Sequence, residues 1–178
     1  MTSTTDSTSD SYNETLGDIV DQAKSAKKDV YATFKAAHQR RRKQLIEEID
    51  DAKDQYDKTK NDPDETRANM KIVREYLELL LDLVELDAEA REQIPKLRVD
   101  TKWIGEFREY KKELKKLGER GYEELEEETG YWADQGYDDE VKEFVDRNRA
   151  IEWDLDDEYD EDLPESQGGK AEKPDSPP

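Results

Sequence analysis

The sequence predicts an all-α protein: a long antiparallel, coiled-coil-like helical hairpin, then a third helix and a short C-terminal helix, flanked by disordered tails. Three observations carry that expectation. Apolar residues recur three and four apart between about positions 16 and 151. No proline interrupts the chain from Glu14 to Lys60, so nothing in that stretch removes a helical hydrogen bond. The pentapeptide Asn61-Asp62-Pro63-Asp64-Glu65 then reads as a helix stop followed at once by a start.

Residues 1–13 are mostly Ser, Thr and Asp, with almost no apolar content, and read as a disordered tail. The first helix is expected from Glu14 to Lys60, with Leu16, Val20, Ala23, Val30, Phe34, Ala37, Leu45, Ile49, Ala52 and Tyr56 on its apolar stripe. A continuous helix of that extent would be about 70 Å long. The steps from Phe34 to Leu45 and from Leu45 to Tyr56 are each eleven residues, a spacing that straightens a left-handed supercoil. In the second helix Asp62 is the expected N-cap, Pro63 the first helical residue and Glu65 the partner three after the cap. Its stripe runs through Met70, Val73, Leu77, Leu80 and Val84, and it must stop near Ile94, because Pro95 disfavours α geometry in the residue before it.

Asp100 is the expected cap of the third helix, whose stripe is Trp103, Phe107, Tyr110, Leu114, Leu117 and Leu125. Gly118 and Gly121 each weaken it by about 1 kcal/mol relative to alanine, which predicts a bend there. Residues 130–136, bounded by glycines and holding Tyr131 and Trp132, read as an aromatic loop before a short helix from Asp138 to about Ile151. The domain reading is therefore a tail (1–13), a helical bundle (14–151) and an acidic disordered tail (152–178).

Charge bounds the function. Charged residues make up 44% of the 178-residue chain, and its net charge is −20. Residues 1–60 are nearly balanced, with 11 basic and 12 acidic groups. Residues 61–151 carry 16 and 26, and residues 152–178 carry 2 and 11. Such a field disfavours nucleic acid and anionic lipid as partners for the whole molecule and suits a cytoplasm of molar salt. There is no cysteine, hence no disulfide and no thiolate chemistry. The N-terminus lacks an apolar signal-peptide core, and the longest apolar run, Leu79-Leu80-Leu81, is far too short to span a membrane. The expected location is cytoplasmic.

Catalytic material is sparse. His38 is the only histidine; alone on a long helix beside a basic run, it reads as a polar surface residue. No Ser-His-Asp or Cys-His set can be assembled around it, since one member is missing or unsupported, and no metal, cofactor or catalytic residue is expected. The densest carboxylates, Asp154 to Asp162, fail as a calcium loop because Tyr159 stands where the tight turn requires glycine. Two other features remain as candidate sites. Arg40, Arg41, Arg42 and Lys43 could contact phosphate or an acidic partner, although four consecutive helical residues spread around the circumference and Glu47, Glu48, Asp50 and Asp51 follow. Trp153, Leu155, Tyr159 and Leu163 alternate with carboxylates, the composition of a docking segment.

The expectation is a non-catalytic helical interaction or structural protein adapted to high salt. It would bind a protein partner or itself through extended helix faces and the acidic, aromatic-containing tail. The alternative is a nucleic-acid-associated regulator or DNA-mimicking acidic protein that uses the 40–43 run or the tail.

Overall fold

A computed structural model describes residues 14–151, which form helices joined by short turns, with no strand among them. The principal helices are α1 (Leu16–Ser25), α2 (Val30–Lys60), α3 (Met70–Gln93), α4 (Ile104–Trp132) and α5 (Asp138–Arg149). None of these is long and apolar enough to cross a membrane.

The expected 47-residue first helix is broken in two. Thr15 opens α1 with a capping box, its hydroxyl accepting from the Asp18 N–H while the Asp18 carboxylate accepts from the Thr15 N–H. The helix stops at Lys27, whose φ of +58° is left-handed. Lys28 N–H then bonds the Ala23 carbonyl at 2.9 Å, and Lys27 N–H bonds that of Lys24 at 3.2 Å. That pair of bonds is a Schellman stop, usually closed by glycine. Asp29 restarts the chain as the N-cap of α2, accepting from Ala32 N–H at 3.0 Å and from the Trp103 indole N–H at 2.7 Å. The Ala32 N–H foremost, with the Trp103 bond helping, holds the Asp29 carboxyl below its ordinary range.

Breaking the helix lets Leu16, Ile19, Val20 and Ala23 of α1 fold onto Val30, Tyr31 and Phe34 of α2 and onto Leu86 and Ala90 of α3. A straight helix would leave those four side chains in water, at a cost of about 1.5–3 kcal/mol for each large one. Lys27→Gly is expected to stabilise the fold by about 0.5–1 kcal/mol, because it relieves a left-handed β-carbon. A denaturant midpoint that falls instead would show that the Lys27 side chain contributes more than the turn costs.

Asp62 and Pro63 do begin a helical turn, Pro63–Thr66, but the Asp62 side chain caps nothing and the turn ends at once. The Thr66 hydroxyl donates to the carbonyls of Thr59 and Asp62, at 3.0 and 2.9 Å, and ties that turn to the end of α2. The continuous helix starts later, at Met70, and ends at Gln93, where Ile94–Lys96 tighten into a 3-10 turn around Pro95. Here the expected stop near Ile94 matches the structure.

Helix α3 is the central element, packing on α2, α4 and α5. It is antiparallel to α2: Tyr56 stacks on Tyr76 with ring centres 4.0 Å apart, while His38 meets Asp87. Helix α4 is parallel to α2, so Tyr31 meets Phe107 at one end and Tyr56 meets Trp132 at the other.

The two glycines do not interrupt α4, which runs unbroken through Gly118 and Gly121. Gly121 serves close packing: a β-carbon there would lie 3.2 Å from Cγ2 of Val84. The expected aromatic loop over 130–136 is wrong. Helix α4 continues to Trp132, and Ala133–Tyr137 form a wider π-type turn that closes through Gly136 at φ +94°. Trp132 is buried against Tyr56, Tyr131 and Tyr137. Burying an indole outweighs the roughly 1 kcal/mol of helix propensity that Gly130 forfeits.

Asp138–Arg149 form the expected last helix. Arg147 fastens it to α3, with Nη2 and Nε donating to the two Glu85 oxygens at 2.7 and 3.1 Å and Nη1 to Glu143 at 3.1 Å. Beside this cation, burial and then the Glu78 carboxylate push the Asp82 carboxyl up to about 6. An acid whose folded pKa is raised favours the fold while protonated. Its contribution is complete below its unfolded value near 3.8 and is lost as pH rises through about 6. Asp82→Asn is therefore expected to gain on the native chain between pH 4 and 7, by on the order of 1 kcal/mol after solvent screening. Thermal melts of both proteins across that range check it, and a constant difference would remove the assignment.

Candidate functional site

Two hydrophobic cores fill the bundle. One joins α1 to the first half of α2, the end of α3 and the start of α4; the other joins the second half of α2 to the start of α3, the end of α4 and α5. Large rings bridge α2 and α4 at both ends. Between those bridges the two helices leave a groove of about 510 Å³.

Ile46, Leu114 and Leu117 supply its apolar walls; Lys43, Glu47 and Glu113 supply charge of both signs. Ile46 is the only exposed large hydrophobic among the described residues.

At one end the groove is floored by a polar cluster built from three helices. His38, one turn after Phe34, points into the bundle and is 2% exposed, which corrects the expectation of a surface histidine. Its Nε2 lies 2.9 Å from Oδ1 of Asp87 in α3, and its Nδ1 lies 2.8 Å from the Tyr110 hydroxyl in α4. Arg42, one turn further along α2, donates from Nε to both Asp87 oxygens at 3.1 and 3.2 Å. The ring nitrogens, the carboxylate and the hydroxyl are thus mutually satisfied, as buried polar groups must be. Burial, reinforced by the charges of Tyr31 and Asp87, pushes the Tyr110 hydroxyl well above the ordinary tyrosine range. A hydroxyl so displaced is a hydrogen-bond donor rather than a nucleophile.

A second polar cluster ties α2 to α4 at the far end. The Tyr56 hydroxyl donates to Glu128, accepts from the Trp132 indole N–H at 2.8 Å, and shares Glu128 with Lys60, whose Nζ is 3.0 Å away. Burial first, and then the Glu128 bond, raise the Tyr56 ionisation far above its usual value.

The basic run divides as helical geometry requires. Arg40 and Lys43 are exposed and Arg41 is half-buried, whereas Arg42 turns inward to Asp87. Lys43 and Arg42 border the groove, so two of the four candidates come together there. Trp153, Leu155, Tyr159 and Leu163 lie outside the described residues.

Sequence reasoning missed Asp87 and Tyr110 as partners of His38. The available signal was phase: His38 falls with Phe34 and Leu45, and Asp87 falls with Leu80 and Val84. Polar residues on an apolar stripe are expected to find one another. No family model matches this chain, and no curated protein or solved structure is similar to it.

Proposed function

We propose that this chain is a non-catalytic helical interaction protein, adapted to high salt, that binds a protein partner or a second copy of itself through its helix faces and acidic tail. The observation that carries this reading is the closed polar cluster beneath the groove. A reactive centre needs a group poised near its working pKa with a free valence toward substrate. Here the histidine is engaged at both nitrogens, the carboxylate is neutralised by Arg42, and tyrosine ionisation is suppressed. What faces outward is Ile46, with the half-buried Leu117 beside it.

The test is sedimentation and affinity capture with the full chain, compared with an Ile46→Asp/Leu117→Asp variant. Binding supports the reading if the double variant selectively loses a partner or the rise in mass above 20.8 kDa. A chain that stays monomeric at every salt concentration and retains nothing that the variant does not would refute it. Affinity for a duplex that falls steeply with salt would favour instead a nucleic-acid-associated regulator acting through Arg40 and Lys43.

A further inference from the structure

The groove, whose own lining carries charge of both signs, is flanked by basic stretches of both helices in an acidic molecule. Residues 35–46 of α2 carry five cations and no carboxylate, and residues 108–117 of α4 carry five cations and two carboxylates. Only the first of these segments stands out as an unbroken run. The structure sets the two side by side, because α2 and α4 are parallel and the groove lies between them.

Residues 152–163 of the same chain are the complement. They hold eight carboxylates and no cation, with Trp153, Leu155, Tyr159 and Leu163 as their apolar members. Their point of departure is also suitable. Helix α5 runs back along α4, where Asn148 Nδ2 donates to the Tyr122 carbonyl at 3.0 Å. Its end therefore heads toward the level of Leu117 and Leu114, about 8–12 Å further along the α4 axis. Tyr159 is eight residues beyond Ile151, a reach of about 26–29 Å when extended, enough to cross a helix about 10–12 Å wide. The face of α4 that lies in the way carries Lys112, Lys116 and Arg120, all exposed.

We propose that residues 152–163 cross this basic face of α4 and seat Tyr159 and Leu163 in the groove between α2 and α4, so that the chain covers its own docking surface until a partner displaces the tail. The proposal rests on the reading of the groove as a docking surface, but its test is intramolecular and needs no partner. Carboxylates 154–158 then face the α4 cations, and two apolar side chains cover Ile46 and Leu117 above the buried Leu114. Opposite charge brings the segment in, and apolar burial fixes where it stops.

The chain has no cysteine, so a Ser166→Cys substitution gives the full-length protein a single attachment point for a nitroxide. The measurement is paramagnetic broadening of the Ile46, Leu114 and Leu117 methyl signals, with Ile19 in α1, which does not line the groove, as the reference. The proposal expects strong broadening of the three groove residues and little at Ile19. It expects that broadening to be lost in a Tyr159→Ser/Leu163→Ser variant, and weakened by Lys112→Glu/Lys116→Glu, which changes exposed residues only. Salt at 1 M, where the Debye length is about 3 Å, should also weaken it. Groove residues broadened no more than Ile19 would overturn the proposal. So would broadening that both variants leave unchanged, or broadening seen only when labelled and isotope-enriched chains are mixed, which would place a second copy's tail in the groove.

Discussion

Asp87→Ala is expected to cost about 3–5 kcal/mol of folding stability, because it strips a buried cluster of the group that holds it together. Asp87 is 1% exposed and serves two partners on another helix, His38 Nε2 and Arg42 Nε. Removing it leaves the guanidinium half-buried without its carboxylate and leaves the ring nitrogen without an acceptor. Leaving such groups unmet costs more than the bonds contribute in net terms. The hydrophobic replacement of both partners is therefore informative. Asp87→Leu combined with His38→Leu is expected to cost less than the sum of the two single changes, since each single change strands the other member of the pair and the double change does not, while Arg42 and the Tyr110 hydroxyl lose their partners in either case. Denaturant unfolding of the four proteins gives the coupling directly. Additive losses would mean that the pair is not energetically linked.

Trp132→Ala is the second large loss, again about 3–5 kcal/mol. The indole is 1% exposed and sits where α2, α4 and the turn into α5 converge. It is edge-on to Tyr56, Tyr131 and Tyr137, with ring centres 5.0–6.3 Å away. Alanine would empty that space and also remove the N–H that meets the Tyr56 hydroxyl. Trp132→Phe keeps most of the volume and is expected to lose about 1–2 kcal/mol, the share belonging to the hydrogen bond and the residual void. The denaturation midpoint should fall in that order with the slope unchanged. Equal losses for alanine and phenylalanine would place the energy in the hydrogen bond rather than in packing.

These two sites also show what could be read in advance and what could not. The helical class, the chain reversal at Asp62-Pro63, the stop before Pro95 and the last helix from Asp138 follow from local chemistry, and local chemistry is visible in one dimension. The break at Lys27 was missed because the left-handed position is held by lysine, not by the glycine that usually marks it. Asp29, four residues before Thr33 and just ahead of an apolar run, was the remaining clue. Residues 130–136 were misread for the opposite reason. Two glycines and two aromatics suggested a loop, and only the burial of Trp132 against Tyr56, 76 residues away in sequence, decides for helix.

The groove was illegible for a different reason: it is defined by what α2 and α4 do not fill between their ring bridges, a property of two helices together. The polar cluster was not legible: beside a basic run His38 reads as a surface residue although it shares the stripe of Phe34, and no spacing rule identifies Asp87 as the residue that meets it and Arg42.

The His38–Asp87–Arg42–Tyr110 cluster is expected to be a sealed structural element. Because His38 is the only histidine, its acylation by diethyl pyrocarbonate can be followed without ambiguity as denaturant is raised. A sealed cluster predicts that labelling is suppressed in the native protein and rises only with the global unfolding transition seen by far-ultraviolet circular dichroism. Labelling of the native chain at the rate of a free imidazole, well below that transition, would contradict it and return His38 to the list of reactive groups.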